Sequence, residues 1–347
     1  MAVTLTNAGC EASSTNLAGG PHTFTVTNKN ATAVSEVELL DGERILGEKE
    51  NLAPGFSGSF SLQLSAGTYS LYCPGATKEK TPVTVTGGAV ASTSGDTTSL
   101  VASGVSDYAT YIRTQIASLV ATTGPLVTAI EAGNVAAAQQ AYAKARPYYE
   151  RVEPVAESFT QGSNNLDNDI DARENDVPAS QWEGFHRIEQ GLFVAKSTAG
   201  LQTYATGLLT NVTKLQTLTS TLTYQPAELA NGAVELLDEV SKTKITGEEE
   251  RYSHLDLLDM EANIEGSEQA YADLQPVLVQ IDPQLAATLT ADFGALDALV
   301  NTYRDPAALG GFKPYGQLTP ADVLSLSRAV STVAEPLSQV AAKVVAA

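Results

Sequence analysis

Trp182-Glu183-Gly184-Phe185-His186-Arg187-Ile188-Glu189-Gln190-Gly191-Leu192-Phe193 places Trp182, Phe185, Ile188 and Leu192 at intervals of three and four residues. That is the period of a helix with one buried face. His186 and Glu189 are three apart within it, so a helix sets both on one face with side chains able to converge. A neutral imidazole and a carboxylate converging from one turn make half of a metal site. The plainer reading is a partly buried histidine hydrogen-bonded to a neighbouring glutamate, and the flanking sequence has to decide between them.

From Ser99 onward the texture is the same: Ala-, Leu- and Gln-rich segments with a period near 3.6. The pattern predicts helices at about 100–122, 134–158, 180–195, 200–223, 227–242, 254–279, 283–303 and 320–345. Punctuation at Gly124-Pro125, Gly133-Asn134, Asp282-Pro283 and Thr319-Pro320 marks the breaks, with Thr319 as N-cap and Pro320 at the first helical position. Antiparallel helices with short connections build one or two bundles. Before them, residues 1–86 read as short alternating strands, for example 23–27, 59–64 and 68–72. The turn signals between them, at 18–21, 41–42, 53–55 and 66–67, give a small antiparallel β-sandwich. The small, polar, Gly-containing run 87–98 reads as a flexible linker between this domain and a helical domain over 99–347.

The chain has 347 residues, enough for two domains, and a formal charge of -20. Of its charged residues, 5 basic and 8 acidic fall in 1–86, leaving 15 and 32, or about -17, for the rest. Such a balance argues against nucleic acid and anionic membrane surfaces as partners. No run of 18 apolar residues is present. Met-Ala-Val-Thr-Leu runs into polar sequence without a basic or apolar leader region, the pattern of a cytosolic protein or of the mature part of an exported one.

Upstream of His186, Arg146-Pro147-Tyr148-Tyr149-Glu150-Arg151-Val152-Glu153 repeats the three-residue spacing with Glu150 and Glu153. Two helices that each aim a pair of ligands inward are how bundles build carboxylate metal sites; the alternative is a solvated acidic face neutralised by Arg151. The acidic stretch 165–176 lacks the central Gly and closing Glu of an EF-hand, but Asp167 is placed to fold over the site. In Glu248-Glu249-Glu250-Arg251-Tyr252-Ser253-His254-Leu255-Asp256, Ser253 reads as an N-cap, with His254 and Asp256 in the first turn after it. Oxygen ligands with one imidazole and no thiolate suit Mn, Fe or Ca over structural Zn, and the carboxylate number leans toward ferric iron. Ligation needs His186 neutral, so binding should weaken as pH falls through its titration.

Hydrolytic motifs are incomplete: His186 has no second histidine at His-Glu-x-x-His or His-x-x-Glu-His spacing, and no Gly-x-Ser-x-Gly occurs. Leu71-Tyr72-Cys73-Pro74-Gly75 resembles the loop that closes a cupredoxin, yet His22 is the only histidine of that domain, which argues against blue copper. Cys10 and Cys73 are either a disulfide or thiol ligands joined by Glu36 or Glu38.

Taken together, Tyr149 to Phe159, Asp171 to Val177, Trp182 to Glu189 and Tyr252 to Leu257 resemble, in order and over nearly the whole chain, the EfeO family. Its members are extracytoplasmic components of EfeUOB iron uptake. The resemblance implies a cupredoxin-like domain followed by an imelysin (peptidase M75-like) domain of two four-helix bundles. It implies metal ligands at Glu150, Glu153, His186, Glu189, Asp167 and Glu249, with iron, Fe3+ before Fe2+, as the bound ion and Zn or Mn as further candidates. It also implies export to the periplasm or cell surface and partnership with an iron permease and a DyP-type haem peroxidase. A second copper or iron site would involve Cys10, Cys73, Glu36 and Glu38, but Thr68 stands where another acidic ligand is expected. The competing functions are an imelysin-type metallopeptidase and a metal-independent module for polysaccharide or haem.

Overall fold

The computed structural model of the chain describes residues 1–50, 52–87, 95–161 and 164–347. Strands open it: β1 (Ala2–Thr6), β2 (Gly9–Ala12), β3 (Asn16–Ala18), β4 (Gly20–Asn28), β5 (Val37–Asp41), β6 (Arg44–Lys49), β7 (Ser57–Leu64), β8 (Gly67–Tyr72) and β9 (Lys80–Thr86). They form two sheets, in the orders β2-β1-β4-β7 and β3-β9-β8-β5-β6. Alternation along each strand turns Val3, Leu5, Phe24, Val26 and Phe60 of one sheet toward Leu39, Leu71, Val83 and Val85 of the other, closing one core. The expected all-antiparallel sandwich is corrected to a mixed one, since β1 pairs with β4 and β3 with β9 in parallel. The cause is topological: the chain crosses between sheets after β2 and again after β3. Cys10 of β2 and Cys73, just beyond β8, are joined in a buried disulfide with Cα atoms 6.1 Å apart. Thiol ligation is thereby ruled out for this oxidised chain.

Most of the expected linker lies outside the described residues, but its last part, from Gly95, already belongs to a helix. The helices are α1 (Gly95–Glu131), α2 (Val135–Glu150), α3 (Glu153–Glu157), α4 (Leu166–Asp171), α5 (Gly184–Glu189), α6 (Gln202–Thr219), α7 (Pro226–Lys242), α8 (Asp256–Ile281), α9 (Pro283–Asn301), α10 (Pro320–Leu337) and α11 (Val340–Ala346). A short π-helical stretch (Gln190–Val194) extends α5. Packing of α7 on α8, α8 on α9, α9 on α10 and α10 on α7 closes one four-helix bundle. In the other bundle α1 packs on α2, α6 and α8, and the side left open is filled by the short α4 and α5 against α6. Those short helices carry the site.

Two expected helix boundaries are corrected. Gly124-Pro125 does not end α1, because buried Leu119, Leu126, Val127 and Ile130 carry the apolar stripe across it. The segment expected as one helix over 134–158 is broken at Val152, where φ is -133°. Pro154 has no N–H for the carbonyl of Glu150; Asn263 Nδ2 of α8 donates to that carbonyl instead, at 2.8 Å.

The sandwich sits on the helices through α7 and α11. Ala227 of α7 is part of the sandwich core, Asn231 Nδ2 donates to the Ser61 carbonyl at 3.0 Å, and Lys49 pairs with Asp238 at 2.9 Å. Beside this contact the β5–β6 hairpin, with Glu38 opposite Glu48, faces α3 and α4 across a cleft of about 350 Å³.

Candidate metal centre

Gly184 determines how α5 starts. Its φ is +80°, and a β-carbon there would collide with the Ile170 carbonyl of α4, so only glycine allows the two helices this approach. The approach brings His186 to the end of α4: its Nε2 is 3.5 Å from Asp171 Oδ1 and 3.2 Å from Glu249 Oε1. Its Nδ1 donates to Glu189 Oε2 at 3.1 Å. The other Glu189 oxygen accepts the backbone N–H groups of Tyr252 and Ser253 at 2.9 and 2.7 Å. Glu189 is thus spent on orienting the imidazole and on pinning the turn that carries Glu249 and Glu250.

Glu150 and Glu153, expected on one helical turn, instead flank the Val152 break, and both are buried. Glu150 Oε1 takes a short charged hydrogen bond from Arg146 Nη2. Lys244 lies 3.2 Å from Glu150 Oε2 and 3.3 Å from Glu153 Oε2. The Arg146 guanidinium, fully buried and stacked on Phe185, also reaches Asp171, Glu249, Glu250 and Asp259. Carboxylates still outnumber cations in this cluster.

Oxygens of Glu153, Asp167 and Asp171 all lie within 4.8 Å of one another, as do ligand atoms of Asp171, His186 and Glu249 and of His186, Glu189 and Glu250. The first trio faces the cleft, which Glu249 and Arg173 also line. Tyr149 donates to Asp167 Oδ1. Burial pushes Glu153 well above the usual carboxylate range despite Lys244. Burial and the Asp171 charge bring Asp167 up to about 7. For Asp171 the cost of burial is outweighed by Arg146 and His186, which hold it below its ordinary value; for Glu249 it is outweighed by Lys244, His186 and Arg173. Burial disfavours the His186 cation, but Asp171, Glu189 and Glu249 raise its pKa well above that of a free imidazole. In the metal-free chain these three carboxylates favour the protonated imidazole.

All six residues expected in the helical domain belong to this one connected cluster, but only Glu153, Asp167 and Glu249 open on the cleft. Glu36 and Glu38 line its opposite wall, whereas Cys10 and Cys73 are not among the residues lining the cleft and are bonded to each other. His254 is exposed, with φ of 62°, and α8 starts after it at Asp256, so Ser253 is not its N-cap. Asp171, Arg146, Lys244, Glu250 and Asp259 were missed. Arg146 with Glu150, and Asp167 with Asp171, stand at the readable i,i+4 spacing; Lys244 and Asp259 carry no local signal.

Residues 104–340 match the imelysin (peptidase M75) family, and residues 1–85 a cupredoxin-like domain. Over 342 residues the chain is 37% identical to the iron uptake system component EfeO of Escherichia coli (strain K12), covering 97% of this chain and 89% of that one. The same figures hold for the proteins of that name in Shigella flexneri and Shigella sonnei (strain Ss046).

Proposed function

The chain belongs to the EfeO family of iron-uptake components, its helical part to the imelysin family, and on that premise we propose that it binds iron in the cleft and hands it on. Glu153, Asp167 and Asp171 are the primary ligands, with Glu249 and His186 beside them. The observation that carries this reading is the convergence of those three carboxylates, from α3 and α4, on the wall of an acidic cleft. Hard oxygen donors with one imidazole and no thiolate favour Fe3+, then Fe2+ or Mn, over Zn. Iron is cargo here. The protein works outside the cytoplasm, as the linked halves of an uptake component that delivers to an iron permease and cooperates with a DyP-type haem peroxidase.

Hydrolysis is disfavoured by the same geometry. A general base needs a free carboxylate oxygen beside a bound water, and both Glu189 oxygens already accept hydrogen bonds. Calorimetric titration with Fe3+ as citrate and with Mn2+ at pH 7.5 tests the assignment. Glu153→Gln combined with Asp171→Asn should weaken both ions by about 100-fold, on the scale of two lost charged ligands. An affinity equal to wild type in that double variant rejects the site.

A further inference from the structure

Lys244 is fully buried on a single 3₁₀ turn (Lys244–Thr246), between α7 and Gly247. Its ammonium lies 3.2 Å from Glu150 Oε2, 3.3 Å from Glu153 Oε2 and 3.7 Å from Glu249 Oε1. Among the described residues, only Glu153 accepts a hydrogen bond from it, and Glu150 Oε2 has no donor in hydrogen-bonding geometry. These carboxylates come from three separate pieces of chain: the end of α2, the start of α3 and the turn before α8. Glu153 and Glu249 also line the cleft. A compact charge with three donors and no acceptor therefore stands among three carboxylates, two of which line the cleft beside the proposed ligands.

We infer that Lys244 is a tethered internal cation that fills the inner carboxylate cage, keeps it assembled in the metal-free chain and limits how tightly the cleft holds a multivalent ion. The inference rests on the cleft reading above and adds to it a residue that sets affinity and charge selectivity. Repulsion grows with the product of the charges, so the ammonium opposes a trivalent ion more than a divalent one. Without it, several buried carboxylates would repel one another, which is costly in a medium of low polarity. With it, the cage is stable when empty and releases its ion more readily.

The test is titration of the full chain at pH 8, where protons compete least, with Mn2+ and with Ga3+ supplied as citrate, a redox-inert stand-in for ferric iron. Lys244→Gln should bind Mn2+ about tenfold more tightly or better, and Ga3+ by a larger factor, as expected from removing one nearby charge. Lys244→Arg keeps the charge and should stay within about threefold of wild type by the same argument. A Lys244→Gln protein that binds both ions no more tightly than wild type overturns the inference and leaves the cleft reading standing. Failure of the wild type to bind either ion overturns the cleft reading and this inference together. Should Lys244→Gln lose helical circular dichroism when metal-free, recovery with Mn2+ but not with NaCl of equal ionic strength supports the role. Absence of recovery overturns it.

Discussion

Arg146 reaches Glu150, Asp171, Glu249, Glu250 and Asp259 from one guanidinium, and Tyr142 and Ser253 supply hydroxyls to Glu250 beside it. A planar donor fork can bridge several carboxylates in fixed directions, which an ammonium cannot. Removing it leaves buried charges without their partner, a loss of about 3–5 kcal/mol. Arg146→Met should lower the urea midpoint accordingly at pH 7.5. A loss below about 1 kcal/mol would mean that the carboxylates simply take up protons and that the guanidinium does not organise them. The i,i+4 pair of Arg146 with Glu150 is visible in the sequence; its bonds to Asp171 and Asp259 join residues 25 and 113 positions away and are not.

At the scale of elements, the site is built by short helices and interruptions. The α5 helix is one and a half turns, α3 is shorter, and the Val152 break swings Glu153 toward Lys244 and the cleft. The helical period was legible at Phe185, Ile188 and Leu192, which share one buried core. The expected start at 180 is corrected, since α5 begins at Gly184 and Trp182 lies before it in a separate cluster with Ala172 and Val177. The Val152 break was not legible, since it depends on Asn263 arriving from α8 to take the Glu150 carbonyl. Gly184→Ala tests how closely α5 must approach α4. The positive φ and the collision with the Ile170 carbonyl should destabilise the protein by about 1–3 kcal/mol and weaken Mn2+ binding by displacing His186 from Asp171. Thermal melting and calorimetry would check it; wild-type values for both would show that the contact relaxes without disturbing the site.

For the whole molecule, the main consequence is the acidic cleft between sandwich and helices. Burial, with the charges of neighbouring acids, raises Glu36 to about 7 and Glu38 to about 8 on the sandwich side. Outside that cleft, at the contact of α7 with the sandwich, burial and the Glu50 charge raise Glu235 to about 8. These groups hold protons in the folded chain at pH values where the unfolded chain has released them. Their contribution to stability is therefore full below the ordinary carboxylate pKa and is lost as pH rises through about 7 to 8. Raised His186 acts in the same direction, whereas the lowered Asp171 and Glu249 lose their contribution only in stronger acid. The melting temperature of the metal-free protein should fall between pH 5.5 and 8.5, and saturating Mn2+ should flatten that slope. A melting temperature that rises over this range without metal would contradict the raised carboxyls.

The sequence by itself determined the order of a β-sandwich and a helical domain, the helical face around His186 and the family resemblance. Each of these is written in local periodicity, turn residues or contiguous motifs. Only the tertiary structure decided that Cys10 and Cys73 bond to each other, that Glu36 and Glu38 look across a cleft toward Glu153 and Asp167, and that Lys244 and Arg146 occupy the midst of the carboxylates. Those outcomes depend on which charges meet after distant segments pack. Burial then makes each unpaired charge costly enough to select its partner, and the spacing of residues along the chain does not encode that choice.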